Sequence, residues 1–210
     1  MNEKYTHISF VLDHSGSMAN IWNDVVGGYE SFVLEQQKDT SKATFSLVVF
    51  DDLVEVIEDF TPLEKVSPKL TVKPCGCTRL LDAIGQTINQ TGIQLAKLLE
   101  EERPGKVLIV IQTDGYENSS REFTSAQIKE MVTLQKDTYN WQFIFLGASE
   151  ACLDIVSNIG LSSVNSTTYS QGSTLMSGFS SKLSSLRSCT LDSYSKVAEI
   201  SDEDIKNFNA

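Results

Sequence analysis

The chain lacks most of what would send it to a membrane, to nucleic acid or into a disulfide-built scaffold. No apolar run in its 210 residues approaches the roughly 20 needed to span a bilayer. Basic residues are scarce: 17 Lys and Arg stand against 28 Asp and Glu, a formal net charge of −11. That balance argues against nucleic acid or an anionic membrane as a surface-wide partner, because both need a basic footprint. An acidic partner would have to be recruited locally, through a cation. There are only four cysteines, Cys75, Cys77, Cys152 and Cys189. The first residues, Met1-Asn2-Glu3-Lys4-Tyr5-Thr6, show no basic segment followed by an apolar one, so reduced thiols and a cytoplasmic location are expected. Histidine is limited to His7 and His14, and no internal repeat occurs. The length suits one well-buried domain, with at most a short appendage.

What is present is an alternation of strand and helix patterns. Ile8, Phe10 and Leu12 alternate with Ser9 and Val11, which predicts a strand ending at Asp13. A helical spacing follows over about residues 19–37, through Ile21, Val25, Tyr29, Phe32, Val33 and Gln36. Gly27-Gly28 in its middle costs roughly 1 kcal/mol per residue in helix propensity, and this predicts close packing against a neighbour. Phe45, Leu47 and Val49, then Val54, Val56 and Ile57 across Asp51-Asp52, read as an antiparallel hairpin. Residues 61–74 carry Pro62, Pro68 and Pro74 and read as an irregular connection, and a second helix is expected over about 80–102. Residues 106–113 are almost continuously apolar, the mark of a parallel strand buried on both faces, and they end at Asp114-Gly115. Thr124-Ser125-Ala126-Gln127 has the form of a capping box opening a helix. Further on, residues 141–146 read as a strand, 150–158 as a short helix and 161–167 as a weak last strand.

This pattern predicts an α/β fold with a doubly wound, mostly parallel sheet and helices on both faces. Residues 1–168 form the expected domain. Residues 169–210 are serine-rich and then acidic, yet Leu175, Phe179, Leu183 and Leu186 keep a helical spacing. An amphipathic helix and an acidic tail are expected there, packed on or appended to the same domain, with a short helix around 202–208.

The chemistry gathers at strand ends. Asp13, Ser15 and Ser17 fall at i, i+2 and i+4, so one carboxylate and two hydroxyls can face a common point. These are the hard oxygen donors that magnesium prefers. Asp114 follows a buried strand just as Asp13 does. If the two strands are neighbours, both carboxylates flank the switch point at which doubly wound sheets bind ligands. Taken alone, Asp13-His14-Ser15-Gly16-Ser17 is equally a helix N-terminus capped by Ser or Asp.

Three fragments together, Asp13-x-Ser15-x-Ser17, Gly76-x-Thr78-x-Leu80-x-Asp82-Ala83 and Thr113-Asp114-Gly115, resemble the metal-ion-dependent adhesion site of von Willebrand factor type A (VWA) domains. The similarity spans roughly residues 6–168. The runs Leu81-Asp82-Ala83-Ile84-Gly85, Thr113-Asp114-Gly115-Tyr116-Glu117-Asn118 and Phe145-Leu146-Gly147-Ala148 resemble small intracellular versions from bacteria and phages. The resemblance implies six strands in the order 3-2-1-4-5-6 with one antiparallel edge strand. It also implies that Ser15 and Ser17 coordinate Mg2+ (or Mn2+) directly, with Asp13, Thr78 and Asp114 coordinating directly or through water. The implied role is a non-enzymatic module whose ion captures an Asp or Glu of a partner protein. The alternatives are a metal-dependent hydrolase or phosphatase using the same site, and a metal-free scaffold. Cys75-Gly76-Cys77 departs from the paired glycines of many members.

Other residues carry competing readings. Asp82 reads as a brace for the start of its helix more readily than as a support for the ion's ligands. Gly147-Ala148-Ser149-Glu150-Ala151 faintly echoes a nucleophile elbow, but both histidines precede that serine, against the chain order of such hydrolases. Asp13-His14-Ser15 has Ser15 where aspartate-nucleophile phosphotransferases need a second Asp. Cys75 and Cys77 lack a second thiol pair nearby in sequence, which favours plain loop residues over a soft-metal or redox pair.

Overall fold

The computed structural model describes residues 1–114, 117–147, 152–161, 166–168, 174–201 and 203–204. In chain order the elements are β1 (Asn2–Asp13), α1 (Trp22–Gln37), β2 (Lys42–Phe50), β3 (Val54–Pro62), α2 (Leu80–Ala96), β4 (Pro104–Thr113), α3 (Ser125–Tyr139), β5 (Gln142–Gly147), α4 (Cys152–Asn158), β6 (Ser166–Thr168), α5 (Thr174–Ser188) and α6 (Leu191–Ala198). The strands form one sheet in the order β3-β2-β1-β4-β5-β6. Five of them run parallel, and β3 lies antiparallel to β2 at one edge. The expected strand order and the antiparallel edge are both present.

The period of two in β1 divides the core. Ile8, Phe10 and Leu12 point to the side covered by α1, where Tyr29 and Phe32 meet Phe10 and Phe45. Val11, with Ile109 and Ile111 of β4, packs on the other side against Leu80, Ile84 and Ile88 of α2. Both faces are covered, and apolar side chains dominate the central strands. Among the buried polar groups is a small chain: His7 lies within 3.0 Å of the Thr44 hydroxyl and 2.9 Å of the Ser9 hydroxyl, which in turn is 3.1 Å from Thr91. Burial holds the His7 imidazole down to about 3, so this histidine is neutral and structural.

Several boundaries differ from the sequence reading. A 3-10 turn over Gly16–Asn20 precedes α1, which begins only at Trp22. β3 runs on to Pro62 through register shifts opposite Phe45 and Leu47, with Phe60 at φ 50, so the irregular connection starts later. α2 stops at Ala96, before a 3-10 turn over Glu100–Glu102, and Pro104 is the first residue of β4, where its missing N–H costs nothing. The capping box at Thr124 and Gln127 is formed in both directions. Residues 148–151, including the Ser149 of the faint elbow, lie outside the described residues.

Of the Gly27-Gly28 pair expected to pack closely, Gly28 is buried on the core side of α1. A Cβ built on Gly27 meets nothing within 4 Å, whereas one on Gly85 would come within 2.7 Å of the Phe123 ring.

The last helices complete the α1 face. Phe179 stacks on Phe32 with ring centroids 5.6 Å apart, and Leu183 and Leu186 are fully buried in the same core. Arg187 donates to the carbonyls of Gln36, at 2.8 Å in the last turn of α1, and Ser41, at 2.7 Å just before β2, tying α5 to the α1–β2 connection. Lys106 of β4, itself buried, donates to the carbonyls of Arg187 and Cys189 at the end of α5. The helix of the acidic tail is α6, burying Tyr194 and Ala198. Of the helix expected at 202–208, only 203 and 204 are described, and both are helical.

Two tests follow from this packing. Gly27→Ala should raise stability by about 1 kcal/mol, while Gly85→Ala should lower it by about 1–3 kcal/mol, read as shifts in the urea midpoint. A chain ended after residue 168 should lose its sharp unfolding transition, and Phe179→Ala in the full chain should cost about 3–5 kcal/mol. An unaltered melting curve after truncation would make residues 169–210 a mere appendage.

Candidate metal centre

β1 and β4 are adjacent and parallel, with Leu12 opposite Gln112, so Asp13 and the Thr113-Asp114 pair emerge side by side at the carboxyl ends of the two central strands. The chain winds outward from them to β2 on one side and β5 on the other. This is the crevice that a doubly wound sheet opens to a ligand. Asp13 is fully buried there. Its Oδ2 accepts the Thr113 hydroxyl at 2.6 Å and its Oδ1 accepts the Ser15 amide at 2.7 Å, so the side chain also shapes the turn that follows. Burial pushes its carboxyl up to about 6, against the pull of those hydrogen bonds, and the neighbouring Asp114 charge pushes the same way.

The reading of Ser15 as a helix cap is not what the fold uses. Ser15 stands before the 3-10 turn, but its side chain makes no capping bond; its hydroxyl lies 3.1 Å from that of Ser17. Two cis ligands of an octahedral ion with bonds of about 2.1 Å sit about 3.0 Å apart, so this spacing and the all-oxygen donor set fit a magnesium-type ion. Ser15 is buried and Ser17 is exposed, which leaves the pocket open on the Ser17 side.

Thr78 arrives by backbone clamps. The Gly16 amide donates to the Gly76 carbonyl at 3.2 Å, and the Cys75 amide to the His14 carbonyl at 2.9 Å, which ties the second loop to the first. Gly76 has φ +66, and a Cβ there would lie 2.5 Å from the Asp52 carboxylate, so the tie depends on glycine. From the other side, the Thr78 amide donates to the Asn118 side-chain oxygen at 2.9 Å, and the Thr78 carbonyl accepts the Asn118 and Ser119 amides at 3.2 Å. All five candidate residues thus lie on three mutually bonded loops. Gly115 and Tyr116 lie outside the described residues.

Asp82 acts as the brace its position suggested. Fully buried, it accepts the amides of Arg121 (2.9 Å), Glu122 (2.9 Å) and Phe123 (3.0 Å) and pairs with Arg79 at 2.7 Å. Burial alone would raise its carboxyl, but these donors outweigh it and hold the group below the usual carboxylate range. Glu117 works beside it, accepting the Leu81 amide at 3.0 Å and the Ser120 amide at 2.8 Å. Glu117 and Asn118 appeared in the sequence only as part of a resembling run, and Arg79 and Asp51 gave no signal. Their partners lie 24 to 40 positions away in the chain for the hydrogen bonds Asp51–Cys75 and Thr78–Asn118, and no local pattern reports such pairings.

No protein-family model and no curated protein sequence matches the chain. Its likeness is to solved structures. Proximal thread matrix protein 1 (PTMP1) from the mussel byssus superposes with a TM-score of 0.61 at 18% identity, over 87% of this chain and 46% of that one. Another structure of PTMP1 has a zinc-occupied MIDAS motif (TM-score 0.56, 18% identity, 92% and 46% covered). The ArnB paralog VWA2 from Sulfolobus acidocaldarius gives 0.52 at 20% identity, over 87% and 44%. BatB from Bacteroides thetaiotaomicron gives 0.52 at 17%, over 85% and 97%. The chain spans about half the length of PTMP1 and VWA2. At these identities the likeness establishes the fold, and the fold is that of a VWA domain. Among the described residues no helix is long and apolar enough to cross a membrane.

Asp82→Asn should cost about 2–4 kcal/mol at pH 7, since one carboxylate oxygen facing amide and guanidinium donors becomes a donor itself. The folded carboxyl is depressed, so its contribution is present above the unfolded value of about 4 and is lost as pH falls through the folded one. The stability gap between wild type and variant should therefore narrow toward pH 3 in urea titrations; a constant gap would show that the charge is not what holds the loop.

Proposed function

We propose that the chain is a divalent-metal-dependent protein-binding module. Asp13, Ser15, Ser17, Thr78 and Asp114 would hold Mg2+ or Mn2+ at the carboxyl edge of β1 and β4. The observation that carries this reading is a buried carboxylate, next to a second one, beside two serine hydroxyls at an octahedral edge distance. Anions brought together out of water are costly unless a cation joins them. The bound ion supplies an open position for a carboxylate oxygen of an Asp or Glu on a partner protein. The chain's own residues do the rest. Thr113 and the Ser15 amide orient Asp13, the Gly76 and Asn118 clamps hold Thr78 in place, and exposed Ser17 leaves the ion reachable. An acidic chain would in this way bind an acidic ligand that its net charge otherwise repels. The zinc-occupied MIDAS motif of PTMP1, a matrix protein of the same fold, supports the general class.

Because burial and the Asp114 charge outweigh the hydrogen bonds that Asp13 accepts when no metal is bound, Asp13→Asn should leave the metal-free protein as stable as wild type at pH 7, or more so. Wild type should gain about 1.4 kcal/mol, a rise of about 3–6 °C in Tm, at a tenfold excess of Mg2+ over its dissociation constant, and the variant nothing. Calorimetric titration with Mg2+ and Mn2+ checks the same point directly. Equal responses from both proteins would remove Asp13 from the site and with it this reading.

A further inference from the structure

On the reverse side of the Asp13–Ser17 loop a second, chemically different donor set comes together. His14 is buried, and its Nδ1 lies 3.1 Å from the Lys73 carbonyl. A carbonyl only accepts, so Nδ1 carries a proton, and in the neutral ring Nε2 presents its lone pair. That Nε2 is buried and has no hydrogen-bond partner among the described residues. It faces Asp51 Oδ2 at 4.0 Å, and the same oxygen lies 2.8 Å from Cys75 Sγ. The three donor atoms all fall within 4.8 Å of one another.

We propose that His14 Nε2, Asp51 Oδ2 and Cys75 Sγ form a second divalent-metal site, selective for a zinc-type ion. Tetrahedral zinc with bonds of about 2.0 Å to nitrogen and oxygen and about 2.3 Å to sulfur sets its ligands roughly 3.3–3.6 Å apart, a range that the separations of 2.8 and 4.0 Å bracket, so that side-chain shifts of under about 1 Å would close the site. The hydrogen bond from Nδ1–H to a backbone carbonyl is the support that metal-bound histidines use to fix ring and tautomer. Asp51 Oδ1 is occupied by the Leu53 amide at 2.9 Å, which turns Oδ2 toward the cluster. Cys75 is exposed and gives the ion a path from solvent and room for a fourth ligand. A thiolate, an imidazole and a single carboxylate select a borderline ion over Mg2+, the reverse of the all-oxygen set around Asp13. Such an ion would pin the ends of β1 and β2 to the loop carrying Gly76 and Thr78.

This proposal does not rest on the ion proposed at Asp13, and the test keeps the two apart. The full chain, reduced and stripped of metal, is titrated with Co2+ as an optical probe for zinc. The expected result is a thiolate-to-cobalt charge-transfer band that saturates at one equivalent, is displaced by one equivalent of Zn2+ and is untouched by excess Mg2+. Cys75→Ser, at an exposed position, should abolish the band with the far-ultraviolet circular dichroism unchanged. His14→Gln should weaken Co2+ binding at least tenfold, and Asp13→Asn should keep the band. No charge-transfer band in wild type, a band that survives Cys75→Ser, or undiminished affinity in His14→Gln would overturn the proposal.

Discussion

A carboxylate kept out of water at the end of a buried strand is the constraint around which this protein is arranged. Asp13 cannot be solvated, and Asp114 beside it adds to the cost of its charge. The fold answers with fixed dipoles: the Thr113 hydroxyl, the Ser15 amide, and loops crossing the carboxyl edge of the sheet so that hydroxyl oxygens face inward. Such an arrangement costs stability in isolation and would recover it if a cation joined the charges, as the proposed function requires.

The loops are held to one another by bonds that cross between them. Gly16 to Gly76, Cys75 to His14 and Thr78 to Asn118 are backbone or amide bonds between segments remote in the chain, and Asp82 with Arg79 and Glu117 fastens the third loop over the start of α2. Beneath them lies a sheet covered on both faces. α5 and α6 are part of that covering: Phe179 on Phe32, and Arg187 on the Gln36 carbonyl in the last turn of α1, make the C-terminal segment continuous with the core.

One loop serves two donor sets of opposite character. Successive side chains of an extended segment point to opposite sides, so Asp13 and Ser15 face one way while His14 faces the other. On one side stand hard oxygens; on the other, imidazole, carboxylate and thiol. The Cys75-Gly76-Cys77 sequence, which departs from the pattern of the resembling family, is the part of the second loop that approaches Asp51 and Asp52, and Gly76 is forced by that approach.

By itself the sequence determined the layered α/β plan, the strand order through its resemblance, the capping box at Thr124 and the five candidate oxygen ligands, because these follow from local period and from motifs confined to a few residues. Gly85 shows where local reasoning falls short: its close approach to the Phe123 ring joins α2 to a loop tens of residues away, and no helix-breaking pair marked it. Helix α6 escaped notice because eight residues carry too short a period to stand out from a polar tail. Only the tertiary structure decided that His14 meets Asp51 and Cys75, and that Arg187 reaches the carbonyls of Gln36 and Ser41. Those pairings join residues tens to more than a hundred positions apart, and their energy resides in burial and in hydrogen bonds that exist only once the chain has closed on itself.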